Sequence, residues 1–160
     1  METKSNRPKK ILLTCGTSAL AQRVARRLLP AEEVRYAAAE PIPEVLLKTG
    51  PYDQISDSAR PAFIHELLKL ALDRGMEMVF PLGKNEISLL GDAHTLFSEY
   101  GIQLLSPNRT QLAFQQWMHQ PPAGLELQVI WQETTNESAP VGPGLYTMSD
   151  DGTYYLCSAD

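Results

Sequence analysis

The feature that most constrains this chain is the alternation of short, unbroken apolar runs with longer stretches of helical periodicity. Residues 10–15 read Lys-Ile-Leu-Leu-Thr-Cys. A run without polar alternation suits a parallel strand buried on both faces. Gly16 breaks it, and Thr17 or Ser18 can cap a helix over residues 19–29. There Leu20, Val24, Ala25 and Leu28 share one face, with Gln22, Arg23, Arg26 and Arg27 opposite, and Pro30 ends the stretch. Residues 33–38 read as a second strand, so the opening is a βαβ unit.

The pattern continues. Pro41, Pro43, Gly50 and Pro51 make residues 40–54 irregular, with one turn of helix at 44–47 and a short strand at 52–55. Pro61 opens a helix over 62–73 whose stripe contains Phe63, Leu67, Leu68 and Ala71, and Gly75 stops it. Residues 76–80 are a strand, Pro81-Leu82-Gly83 a turn, 85–99 a helix, 102–105 a strand, and 110–119 a last helix before Pro121-Pro122. This alternation implies an α/β fold, a three-layer Rossmann-like parallel sheet with helices on both faces. Beyond it the character changes. Leu125, Leu127, Val129 and Trp131 alternate with polar residues, as in a half-exposed strand. Two prolines and two glycines make 136–144 a loop, and Ser149-Asp150-Asp151-Gly152 lies between two strand-like runs, a hairpin signal. The expected organisation is a disordered tail over 1–9, an α/β domain over 10–120, and a small antiparallel β appendage over 121–160. An appendage of about forty residues is too small for its own core, so it must pack on the α/β body. Trp117 and Trp131, which flank the proline pair, are candidates to fasten it.

Composition narrows the function classes. Apolar residues are 43% and charged residues 21% of the 160, ordinary globular usage, and no apolar run approaches bilayer length. The polar, basic first ten residues are not followed by the apolar segment of a secretory signal, and two cysteines make no disulfide framework. A cytoplasmic location is expected. A net charge of −5 argues against nucleic acid as a partner, and the hydropathy against a membrane.

Two turns fall at the carboxyl edge of the expected sheet, where ligands of open α/β sheets bind. One contains Gly16, Thr17 and Ser18; the other contains Gly83, Lys84, Asn85 and Glu86. Amides at the helix start after Gly16 could hold a phosphate or carboxylate, and Lys84 could pair with an anion. The competing readings are a tight turn with an N-cap, and a helix start in which Glu86 complements the dipole. The single glycine matches neither a dinucleotide-binding nor a P-loop signature. Cys15 could be a thiolate beside a helix N-terminus, or a small apolar residue at a crowded strand end. His65, His94 and His119 lack a second ligand at helical spacing, so no metal site is expected.

Three segments together resemble the domain that precedes the ATP-grasp fold in biotin carboxylase, carbamoyl phosphate synthetase and the D-alanine ligases. They are Lys10 through Ser18, Pro61 through Phe80, and Pro81-Leu-Gly-Lys-Asn-Glu86 through Ile102. The resemblance spans about two thirds of the chain and implies a Rossmann-like fold. The subdomains that hold ATP and magnesium in that family have no counterpart in these residues, and no lysine follows Lys84. The resemblance therefore implies a stand-alone module rather than an enzyme, with no catalytic residue and no cofactor. It would bind a small anionic ligand at the Gly16 and Gly83 edge, dock a separate ATP-grasp polypeptide, or form a homodimer. The alternative is a small nucleotide- or dinucleotide-binding enzyme that uses the turn from Cys15 to Ser18 for phosphate and Glu40 for a ribose.

Overall fold

The computed structural model describes residues 7–136 and 139–160. Most of the expected N-terminal tail and residues 137–138 of the 136–144 loop lie outside the described residues. The first half is built from β1 (Lys10–Leu13), α1 (Ala19–Arg27), β2 (Glu33–Ala38), α2 (Glu44–Thr49), β3 (Tyr52–Gln54), α3 (Phe63–Asp73) and β4 (Met78–Phe80). Then come α4 (Lys84–Leu90), α5 (His94–Glu99) and β5 (Gln103–Leu104). The five strands form one all-parallel sheet in the order β3-β2-β1-β4-β5, with Leu12 beside Arg35 on one side and Val79 on the other.

The unbroken apolar run of β1 is explained by its central place. Ile11 and Leu13 point to one face and pack with Leu20, Ala21, Val24 and Ala25 of α1; Leu12 points to the other and packs with Phe63, Leu67 and Ala71 of α3. Leu90 of α4 and Phe97 of α5 complete that second face. The chain is thus an α/β fold with helices on both faces of a parallel sheet.

Two expected helices are corrected. The 85–99 helix is broken into α4 and α5 at Gly91-Asp92-Ala93. The cause is distant in sequence. The amide of Arg109 donates to the Gly91 carbonyl (3.1 Å), and a Cβ on Gly91 would come within 3.0 Å of Leu112 Cδ1. The expected helix over 110–119 is one short turn, α6 (Arg109–Leu112), followed by strand β6 (Gln116–His119). Asn108 caps that turn, accepting from the Gln111 amide at 2.9 Å. Beyond it Trp117 and Met118 pack into different clusters, a two-residue alternation that suits a strand.

The remaining elements are β7 (Gln128–Ile130), β8 (Thr134–Asn136), β9 (Ala139–Val141), β10 (Gly144–Met148) and β11 (Tyr154–Ser158). Strands β10 and β11 form the hairpin expected around Ser149-Asp150-Asp151-Gly152. The second sheet has the order β6-β11-β10-β7 and is mixed: β7, β10 and β11 run antiparallel, while β6 joins β11 in parallel. The expected 136–144 loop contributes instead to a two-stranded antiparallel pair, β8 with β9.

The second sheet shares the core of the first. Leu127, Leu145 and Cys157 are buried in the same cluster as Ile11, Leu13 and the apolar face of α1, and Trp131 packs against it. Arg23 of α1 reaches across, donating to the Pro122 carbonyl at 2.9 Å and to the Leu125 carbonyl.

Candidate functional site

In this strand order β1 and β4 are neighbours, and the chain leaves β1 toward β2 and β4 toward β5. The connections therefore diverge at the carboxyl ends of β1 and β4 and open a crevice there, the place where ligands of open parallel sheets bind. The two turns singled out in the sequence, after Cys15 and after Leu82, are the two lips of this crevice.

The lips are joined through Thr14. This residue ends the apolar run of β1 and is fully buried. Its hydroxyl accepts from the Leu82 amide at 2.9 Å and donates to the carboxylate of Glu86. The Gly83 amide donates to the same carboxylate oxygen at 3.4 Å. Glu86 is only 7% exposed, and burial raises its carboxyl above the ordinary range, with the Thr14 and Gly83 hydrogen bonds pulling the other way. Gly16 is needed on the other lip because its backbone lies against β2: an added Cβ would sit 2.5 Å from Tyr36 Cβ. Its amide donates to the Ala37 carbonyl (2.9 Å).

Between the lips lies a pocket of about 220 Å³. Its walls bring together Cys15, Thr17 and Ser18 from the first lip, Asn85 and Glu86 from the second, and Glu40 from just beyond β2. Asp57 and Ser58 close it from the loop after β3, where Asn85 Nδ2 donates to Ser58 Oγ at 2.8 Å. Ala159 and Asp160, beyond β11, form the last side. Of the expected site residues, Thr17, Ser18, Asn85 and Glu86 line the pocket. Gly16 and Gly83 shape it from behind. Lys84 is exposed and is not among the lining side chains.

The charged lining is wholly acidic, made of Glu40, Asp57, Glu86 and Asp160. Five of the amides at the two lips already have acceptors. Gly16 donates to Ala37, Ser18 to the Cys15 carbonyl (2.9 Å), and Ala21 to Ser18 Oγ (3.1 Å). On the other lip Gly83 donates to Glu86, and the Lys84 amide donates to Asp160 Oδ1 at 2.7 Å. The electrostatics of this crevice thus run against the anionic ligand that the sequence suggested.

Cys15 sits at the bottom of the first lip with a left-handed φ of 51°. Burial, then the Glu86 and Asp160 carboxylates, push its thiol upward, which disfavours the thiolate that a nucleophile needs. Among the described residues no cluster of histidine, cysteine or carboxylate could hold a metal ion. His65 is exposed, and His119 Nδ1 hydrogen-bonds Ser158 Oγ at 2.6 Å while its ring stacks on Trp117. Among the described residues no helix is long and apolar enough to cross a membrane.

Sequence reasoning missed three contributors. Thr14 had a signal, a polar residue at the carboxyl end of an otherwise apolar buried strand. Asp57 with Ser58 had none, because they lie in irregular chain without periodicity. Asp160 arrives through the pairing of β11 with β6, a long-range event. Compared with known proteins, the chain matches no family model and no curated protein.

Proposed function

We propose that this chain is a non-catalytic, small-molecule-binding module of pre-ATP-grasp type, whose ligand sits in the crevice between β1 and β4. The ligand presents hydrogen-bond donors, an amine foremost, rather than a phosphate. One observation carries this reading: the charged side chains that line the pocket are four acidic ones, Glu40, Asp57, Glu86 and Asp160, with no Lys or Arg among them. An ammonium group would gain charge-assisted hydrogen bonds there, and a phosphate would meet like charge. The volume, about 220 Å³, is below the usual range for drug-sized ligands and fits a small metabolite. The relation to the pre-ATP-grasp domain rests on the order of the three sequence segments described above.

Thermal unfolding with a panel of diamines and basic amino acids, against ATP with magnesium and NAD, tests the reading. A ligand held by the folded state at a hundred times its Kd stabilises by about 2.7 kcal/mol. The amine series should raise Tm, and Glu40→Gln with Asp57→Asn should abolish the rise. Stabilisation by ATP or NAD alone would refute it, and magnesium-dependent ATP turnover lost in Lys84→Ala would move the chain to the enzyme class.

A second reading has one observation in its favour. Glu40 stands two residues beyond β2 at the pocket edge, where an acidic residue can accept from ribose hydroxyls. Adenosine raising Tm as much as the amines, with the gain lost in Glu40→Gln, would favour a nucleoside.

A further inference from the structure

We infer that a second site, an oxyanion-binding groove, runs along α1 opposite residues 120–123 and takes a small molecule carrying a phosphate or carboxylate group. It adjoins the crevice pocket, sharing Ser18 and Ala159 with it, but does not depend on the reading proposed for that pocket.

Arg23, Arg26 and Arg27 stand at i, i+3 and i+4 on α1 and so form one stripe. All three line a groove of about 490 Å³, whose opposite wall includes Gln120 and Pro121. No carboxylate lines it. Among the described residues none of the three guanidinium groups forms an ion pair, whereas four of the other five arginines, Arg7, Arg35, Arg74 and Arg109, each do, Arg60 being the exception. Acidic side chains outnumber Lys and Arg by 19 to 14, so three unpaired arginines in one groove are not a product of general charge balance. Glu126 lines an adjoining depression with Arg23 and Arg27, and it pairs with neither. Arg26 and Arg27 lie in the last turn of α1, where the helix dipole favours cations and offsets the repulsion between like charges at this spacing.

The roles within the stripe differ. Arg23 holds the opposite wall through the Pro122 and Leu125 carbonyls. That wall is stiffened by two consecutive prolines and by Gln120, which has a left-handed φ of 50° and whose backbone N–H donates to the Ser158 carbonyl at 2.8 Å. Arg26 and Arg27 are exposed, and Arg26 makes one long bond, Nε to the Gln22 carbonyl at 3.4 Å. Two guanidinium forks facing a stiff wall match the planar, multi-oxygen shape of phosphate and carboxylate groups. A single stripe on a nine-residue helix of an acidic chain suits a small molecule rather than a nucleic acid backbone.

Backbone amide NMR titration of the full chain tests this with two probes, inorganic pyrophosphate and citrate. Either should give saturable shifts confined to the amides of α1, Gln120 and Ala123, weakening as salt is raised. Response to pyrophosphate alone would make the site phosphate-specific; response to both would make it general for oxyanions. The double variant Arg26→Ala with Arg27→Ala should keep its Tm, since both groups are exposed, and lose at least about tenfold in affinity. Lys84→Ala should bind as the parent does. Unchanged affinity in the double arginine variant, or no saturable shift with either probe, would overturn the site. Shifts centred on Gly16 and Asn85 would overturn it too, and would also contradict the amine reading of the crevice. An amine panel that fails while pyrophosphate binds at α1 would sink only that reading.

Discussion

The hydroxyl of Thr14, just beyond β1, donates to the carboxylate of Glu86, in the first turn of α4. Through this contact the two chain reversals that frame the crevice are one hydrogen-bonded unit. Thr14→Val keeps the shape but leaves the Leu82 amide and the Glu86 carboxylate each short of a partner in a buried place. The cost should be about 1–3 kcal/mol in urea unfolding, largely recovered by Thr14→Ser. A valine variant as stable as the parent would show that the contact holds nothing.

Glu86 gives a pH signature. Its folded-state carboxyl is raised, mainly by burial, so the folded chain binds a proton more tightly than the unfolded chain. Its contribution is therefore most favourable below the unfolded carboxyl value and declines as pH rises from there through the raised folded value. Glu86→Gln removes this titration while keeping an acceptor for Thr14. The variant should gain on the parent as pH rises from about 4 to 7, followed by Tm at each pH. A gain that shrinks over that range would contradict the sign.

Gly16 is fixed by space. A methyl group there would meet Tyr36 Cβ at 2.5 Å and Tyr36 Cα at 3.0 Å, so β2 would have to move away from the turn. Gly16→Ala should cost about 1–3 kcal/mol by chemical denaturation. Gly124→Ala is the control, because nothing lies within 4 Å of its added Cβ. Equal effects at the two positions would show that backbone freedom, not contact, is what matters.

Leu145 tests whether the second sheet and the α/β body are one cooperative unit. It is 1% exposed and shares a cluster with Ile11, Leu13 and Val24. Leu145→Ala should cost about 2–5 kcal/mol, with one transition seen by both Trp fluorescence and helix signal. Two separated transitions would mean that the second sheet folds by itself.

The sequence carried the parallel sheet well because its signals are local. The run at Ile11-Leu12-Leu13 has no polar alternation, and β1 is buried on both faces. Gly16 and Gly83 marked both lips of the crevice for the same reason, as breaks at strand ends. The errors fall where a distant segment decides. The apolar spacing of 85–99 runs on through Gly91, and only the approach of α6 to that glycine divides the helix. Residues 110–119 look helical until Leu156 and Cys157 arrive as pairing partners for Trp117 and Met118. The acidic character of the crevice was hidden likewise, because Glu40, Asp57 and Asp160 are far apart in sequence and meet only in the fold.

The central claim is that the crevice between β1 and β4 receives an amine. It is tested most directly by titrating the uniformly labelled chain with the diamine and basic amino acid panel and following backbone amides. The account predicts, for at least one compound, saturable shifts at Thr17, Ser18, Glu40, Asn85 and Glu86, with a Kd below about 1 mM that is lost in Glu40→Gln with Asp57→Asn. Shifts that never saturate, or that survive the loss of both carboxylates, would contradict it.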